Sequence, residues 1–205
     1  MKRLIIQIVL AAISAVLIYM VYESIQQPVR YDSTKEIRKQ VIVQKLNEIK
    51  ALQVEFKKVH GKYTGSFDTL IDFYKTGKIA FVMKIGSNDT MSEAQALKLK
   101  LIRRDTSYIN VKDSLFQDIE NFNIENLAIV PFTGGKIKFE MEAGTVEKAS
   151  YILPVFEVRC YMKDFLKDVD QQELLTNEIR KMKKDEKFAG WKLGSLTEVS
   201  IDGNW

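Results

Sequence analysis

The sequence predicts an α+β fold: an N-terminal transmembrane helix, then a long amphipathic helix packed on a mainly antiparallel sheet. Three observations carry this expectation. An apolar run opens the chain, a stripe of helical period follows it, and the second half alternates polar and apolar residues around a glycine-rich turn. At 205 residues the chain suits one domain plus an anchor, divided as 1–28 for anchor and short linker and 29–205 for the soluble domain.

The anchor is the first element. Lys2 and Arg3 precede an apolar run from Leu4 to Tyr22, in which only Gln7 and Ser14 are polar. Leu4, Ile5, Ile6, Val9, Leu10, Val16, Leu17, Ile18, Val21 and Tyr22 form the surface expected to face lipid. A bilayer core needs about 20 helical residues, so the run is long enough to span. The rival reading is a cleaved signal peptide, with small residues at Ala11, Ala12, Ser14 and Ala15. A cut there would expose Val16 to Val21 at the new terminus, where a signal sequence turns polar, so an uncleaved anchor is expected. Tyr19 and Tyr22 fall where an interfacial aromatic belt would sit. Lys2 and Arg3 draw the N-terminus to the cytoplasm, whereas Arg30, Lys35, Arg38 and Lys39 pull the other way. Long domains translocate largely regardless of charge. The expected setting is therefore the inner membrane, single-pass, with a periplasmic domain and membrane lipid as a partner.

Beyond the run, Pro28 is expected to interrupt the helix, because it lacks an amide donor and crowds the preceding turn. Ser33 and Glu36 then read as a capping box that starts a second helix. Ile42, Leu46, Ile49, Leu52, Phe56 and Val59 lie on one helical face, with Lys45, Asn47, Glu48, Lys50 and Lys57 between them. Packing of this stripe within its own domain is favoured over a dimeric coiled coil. Gly61 to Gly65 makes a turn, Ser66 caps a short helix and Gly77 stops it. Ile79 to Ile85 reads as a buried strand, Thr90 and Glu93 as a capping box for a short helix, and Thr106 to Val111 as a weak strand. The segment Asp113 to Leu127 reads as loop with helical turns.

Stronger strand signals follow. Ile129 to Phe132 and Lys136 to Glu142 flank Thr133-Gly134-Gly135, which predicts a hairpin with Pro131 at an edge. Ile137, Phe139 and Met141 alternate with Lys136, Lys138, Glu140 and Glu142, as a half-buried antiparallel strand requires. Phe156, Val158, Cys160 and Met162 repeat the pattern. Asp170 with Glu173, and Val169 with Leu174, predict the start of a last helix that Gly190 ends, before a strand from Trp191 to Val199.

Composition and motifs exclude several classes of chemistry. The net charge of +4 is modest, and no nucleic-acid partner is expected. Cys160 and His60 are each the only residue of their type, so no internal disulfide, cysteine zinc site or two-histidine metal motif can form. His60 reads as a cation at a helix C-terminus. Asp164, Asp168, Asp170 and Glu173 read as structural carboxylates without calcium-loop spacing. Arg180 to Lys187 reads as a basic helix end, and the glycines match no phosphate-cradling pattern. No catalytic residue, cofactor site or metal site is expected, and the chain reads as non-enzymatic.

The stretch Phe56 to Tyr63, followed by Phe67-Asp68-Thr69-Leu70, resembles a passage in type IV pilins and pseudopilins. That resemblance implies a membrane helix leading into a longer helix, a Gly-x-Tyr turn and an antiparallel sheet. The apolar run differs from a prepilin's in containing neither Gly nor Glu, its first acid being Glu23, and Thr64 stands where the family has proline. The Gly61 to Leu70 stretch and Gly194-Ser195-Leu196-Thr197-Glu198 also resemble a group of single-pass proteins of Bacteroidetes-type bacteria. This second resemblance implies an envelope setting and no activity. The expected function is that of a membrane-anchored structural or assembly component acting through protein partners. A membrane-tethered ligand-binding or sensor domain is the alternative.

Overall fold

The computed structural model describes residues 2–85, 103–117, 119 and 122–205. The expected helix across Thr90 to Leu97 lies outside them. The fold is α+β, with a long apolar N-terminal helix and a small antiparallel sheet.

One helix, α1 (Lys2–His60), runs without a break through Pro28. The expected interruption does not occur, and the Ser33 box caps nothing because Ser33 lies inside the helix. Pro28 has no amide hydrogen, so the Ser24 carbonyl loses its helical donor. Both residues are exposed, which leaves that carbonyl open to solvent rather than orphaned in a core. At about 1.5 Å per residue, 59 residues make a helix roughly 90 Å long.

The second half of α1 carries the core. Ile42, Leu46, Ile49, Leu52 and Phe56 are buried, as the stripe predicts, but Val59 is 47% exposed because the helix overruns its packing partners. Three further residues join the buried side. Tyr31 stands before the expected start, and Glu48 and Gln53 occupy positions read as polar or not read at all. Gln53, fully buried, donates from Nε2 to the Thr64 carbonyl (2.6 Å) and accepts from the Thr64 amide (3.1 Å). This fastens the turn after α1 back onto the helix. Gly61, at φ 72°, takes the left-handed conformation that reverses the chain and donates to the Lys57 carbonyl.

Helix α2 (Phe67–Thr76) begins at Ser66, whose hydroxyl accepts from the Thr69 amide, and ends at Gly77. Its Leu70 and Phe73 are buried. Strands β1 (Lys78–Ile85) and β2 (Arg103–Asn110) pair as a separate antiparallel ribbon. β1 is not a buried strand at its start, since Ala80 is exposed and Ile79 half-buried. Single 3-10 turns at Val111–Asp113 and Ile124–Asn126 lead on to the main sheet.

That sheet comprises β3 (Glu140–Lys148), β4 (Tyr151–Tyr161) and β5 (Gly190–Gly194), all antiparallel in the order β3-β4-β5. The Gly134-Gly135 turn forms as predicted, but it closes only a narrow pairing of Ile129 with Lys138. The principal hairpin is instead β3–β4, reversed at Ala149 and Ser150 with both residues at positive φ. Phe156, Val158, Cys160 and Met162 are buried, with Met162 already in the short helix α3 (Met162–Phe165).

Helix α4 (Gln172–Lys184) starts later than expected, and Asp170 does not cap it. The carbonyls freed after α3 need donors, and Gln172 Nε2 reaches back to those of Leu166, Lys167 and Val169. The helix ends at Lys184, six residues short of Gly190, which opens β5 instead. A Cβ on Gly190 would sit 2.0 Å from the Cys160 carbonyl oxygen, so only glycine permits this strand approach. β5 ends at Gly194 rather than Val199, and the C-terminal segment covers its edge through Leu193 and Gly203.

Candidate functional site

The site is built on the uncovered half of α1. Ile5, Ile6, Val9, Leu10, Val16, Leu17, Ile18, Val21 and Tyr22 are all exposed, and Leu4 belongs to the same helix. Every sequence-predicted anchor residue is thus brought onto one continuous rod. Among the described residues this is the one helix long and apolar enough to cross a membrane. Nothing in the domain packs on this apolar window.

Between the apolar run and the domain lies a short polar stem. Arg30 pairs with Glu23 at 3.5 Å across Pro28, while Ile25 (62% exposed) and Val29 (58%) remain uncovered. The stem enters the domain through a polar clamp. Tyr31 donates its hydroxyl to Glu178 Oε2 at 2.6 Å, and Lys35 Nζ donates to Glu178 Oε1 at 3.0 Å. One turn on, the Arg38 guanidinium grips both oxygens of Asp168 and also donates to the Phe165 carbonyl. Burial and the Glu178 bond together push the Tyr31 hydroxyl above its ordinary range. Burial works against the Lys35 charge, but the bonds to Glu178 outweigh it and raise its pKa. The Arg38 bonds hold the Asp168 carboxyl below the usual carboxylate range. These contacts fix the direction of α1 where it leaves the domain. Sequence reasoning missed them because both partners lie more than 100 residues away in the chain.

The other candidates fall apart geometrically. His60 is exposed at the end of α1, with its ring stacked on Phe56 at 4.1 Å and edge-on to Phe73. Cys160 is buried, and desolvation pushes its thiol up to about 12. Of the four carboxylates, Asp164 sits in the first turn of α3, Asp168 serves Arg38, Asp170 is exposed, and Glu173 sits in the first turn of α4. Among the described residues no three His, Cys, Asp or Glu side chains gather closely enough to hold a metal ion. No protein-family model matches the chain, and neither a curated protein nor a solved structure matches it.

Proposed function

We propose that this chain is a single-pass envelope protein, held in the inner membrane by Leu4 to Tyr22, with residues 29–205 displayed on the periplasmic side. It acts as a non-enzymatic structural or assembly component through protein contacts, in the manner of a pseudopilin. The observation that supports this reading is the division of α1: one unbroken helix, apolar and uncovered at first, then embedded in the domain's core.

The energetics favour lipid as the cover. Exposed apolar side chains each forgo about 1.5–3 kcal/mol of burial free energy in water. A helix satisfies its own backbone, so it can enter hydrocarbon where a loop cannot. The 19 residues from Leu4 to Tyr22 span about 28 Å at 1.5 Å per residue, close to the roughly 30 Å of a bilayer core. The polar clamp at Tyr31, Lys35 and Arg38 keeps the rod and the domain in a fixed relation, which suits a part that must dock in register.

Alkaline extraction and intact mass of the chain from native membranes test the anchor. Retention in the pellet with Leu4 to Tyr22 still present is the expected result. A mature chain beginning between Ser14 and Tyr22 refutes it. Cross-linking in those membranes tests the assembly role, and a chain that forms no protein adducts argues against it.

A further inference from the structure

The main sheet meets α4 at a pocket of about 310 Å³ that the anchor does not use. Its floor is apolar: Tyr161 at the end of β4, Phe188 on the loop before β5, and Ile179 on α4. Three lysines also line it, Lys163, Lys183 and Lys187. We infer that this pocket binds a small organic anion, with a phosphate or carboxylate held by the lysines and a flat or apolar body laid on the two rings.

Three features support a built site. The first is rigidity of the floor. Tyr161 donates its hydroxyl to Glu140 Oε2 (3.1 Å), and Glu140 in turn accepts from Arg159 Nε (2.7 Å). The phenol is therefore tethered through its hydroxyl, and its ring lies 5.2 Å from that of Phe188. Preorganised aromatic surfaces lose little freedom on binding.

The second is charge. Lys163 Nζ stands 5.1 Å from the Tyr161 ring centroid, and Lys183 and Lys187 reach the pocket from the end of α4 and the loop beyond. Glu140, the carboxylate tied to the floor, accepts from Arg159, which also pairs with Glu142 and Glu157, and the charge of Lys163 acts on it as well. Asp185 and Glu186 are neighbours in sequence but do not line the pocket. The positive charge of the rim therefore rests on Lys183 and Lys187.

The third is size. The volume lies at the lower end of the roughly 300–1,000 Å³ typical of ligand pockets, room for one ring and its acidic group rather than a polymer. A soluble phosphoester and a lipid headgroup offer the same anionic chemistry.

The probe is phenyl phosphate, titrated calorimetrically into the full chain in phosphatidylcholine nanodiscs. Saturable binding is expected, with inorganic phosphate weaker by about fivefold or more because it cannot use the rings. The pair K183Q/K187Q should weaken phenyl phosphate by roughly tenfold, while K181Q/K184Q, equal in charge change on the same segment, should alter it by less than about twofold. Absence of saturable binding, equal affinity for both phosphates, or equal loss in both lysine pairs each overturns the inference. Repeating the titration in discs that also contain phosphatidylglycerol separates the sources. Unchanged affinity assigns the pocket to a soluble anion, and competition abolished by K183Q/K187Q assigns it to a lipid headgroup.

Discussion

Replacing Leu46 by alanine tests whether the second half of α1 is the domain's own core or an assembly surface. Leu46 is fully buried, flanked on its face by Ile42 and Ile49, which are equally inaccessible. The change removes three carbons; at about 0.8 kcal/mol for each buried CH₂ the transfer loss is near 2.4 kcal/mol. A cavity between a rigid helix and the sheet adds to this, giving an expected loss of about 2–5 kcal/mol. Urea denaturation of the full chain in detergent, followed by far-UV circular dichroism at two protein concentrations, reads the effect. The midpoint should fall by the same amount at both concentrations, and sedimentation should show no change in assembly state. A shift that depends on concentration, or a folded variant with altered assembly, would refute the internal-packing argument.

Three further outcomes follow from individual contacts. Gln53→Leu should lose about 1–3 kcal/mol despite adding an apolar side chain, because it strands the Thr64 amide and carbonyl; denaturation curves measure this. Asp168 has a folded-state pKa below its ordinary value of about 3.9, so its contribution is fully present above that value and is lost as pH falls through the folded pKa. Asp168→Asn should accordingly flatten part of the acid limb of a stability–pH curve while lowering stability at neutral pH. Cys160, with its thiol pushed up to about 12 by burial, should resist aromatic disulfide reagents at pH 8 in the folded chain and react once urea unfolds it.

How much of this was legible depended on whether the signal was local. The stripe from Ile42 to Phe56, the Ser66 cap, the Gly77 stop and the alternation around Phe139 and Phe156 are short-range patterns, and each appears in the fold. Val59 and Glu48 were misplaced because periodicity tells which face a residue lies on, not where the packing partner ends. The Asp170 cap was misread for a related reason: a capping pattern is informative only if the carbonyls and amides nearby are unclaimed, and Gln172 and Arg38 had claimed that turn. The Ala149-Ser150 reversal carries no glycine and gave no turn signal; the long β3–β4 pairing on either side holds those two residues at positive φ. The lysine-lined pocket was visible in the sequence only as a basic helix end, since Tyr161 and Lys163 belong to β4 and α3.

Pro28 offers one more constraint on the proposed setting, and it comes from hydrogen bonding rather than hydropathy. Past the first turn, from Ile6 to Tyr22, the helix contains no proline, so each backbone group there can be satisfied within the helix. Pro28 breaks that rule once, at the Ser24 carbonyl. In hydrocarbon an unsatisfied carbonyl costs several kcal/mol, whereas at an aqueous surface water supplies the missing bond. In the proposed setting, a bilayer that ends just beyond Tyr22, beside the charged Glu23, leaves the Ser24 carbonyl to water. The first residue clamped to the domain, Tyr31, stands nine positions past Tyr22, or about 14 Å along the axis. In the proposed setting that stem would keep Glu178, Lys35 and Asp168 clear of hydrocarbon, where their charges would be expensive. Ile25 and Val29 would then stand above the lipid, on a stretch of helix that the domain does not cover.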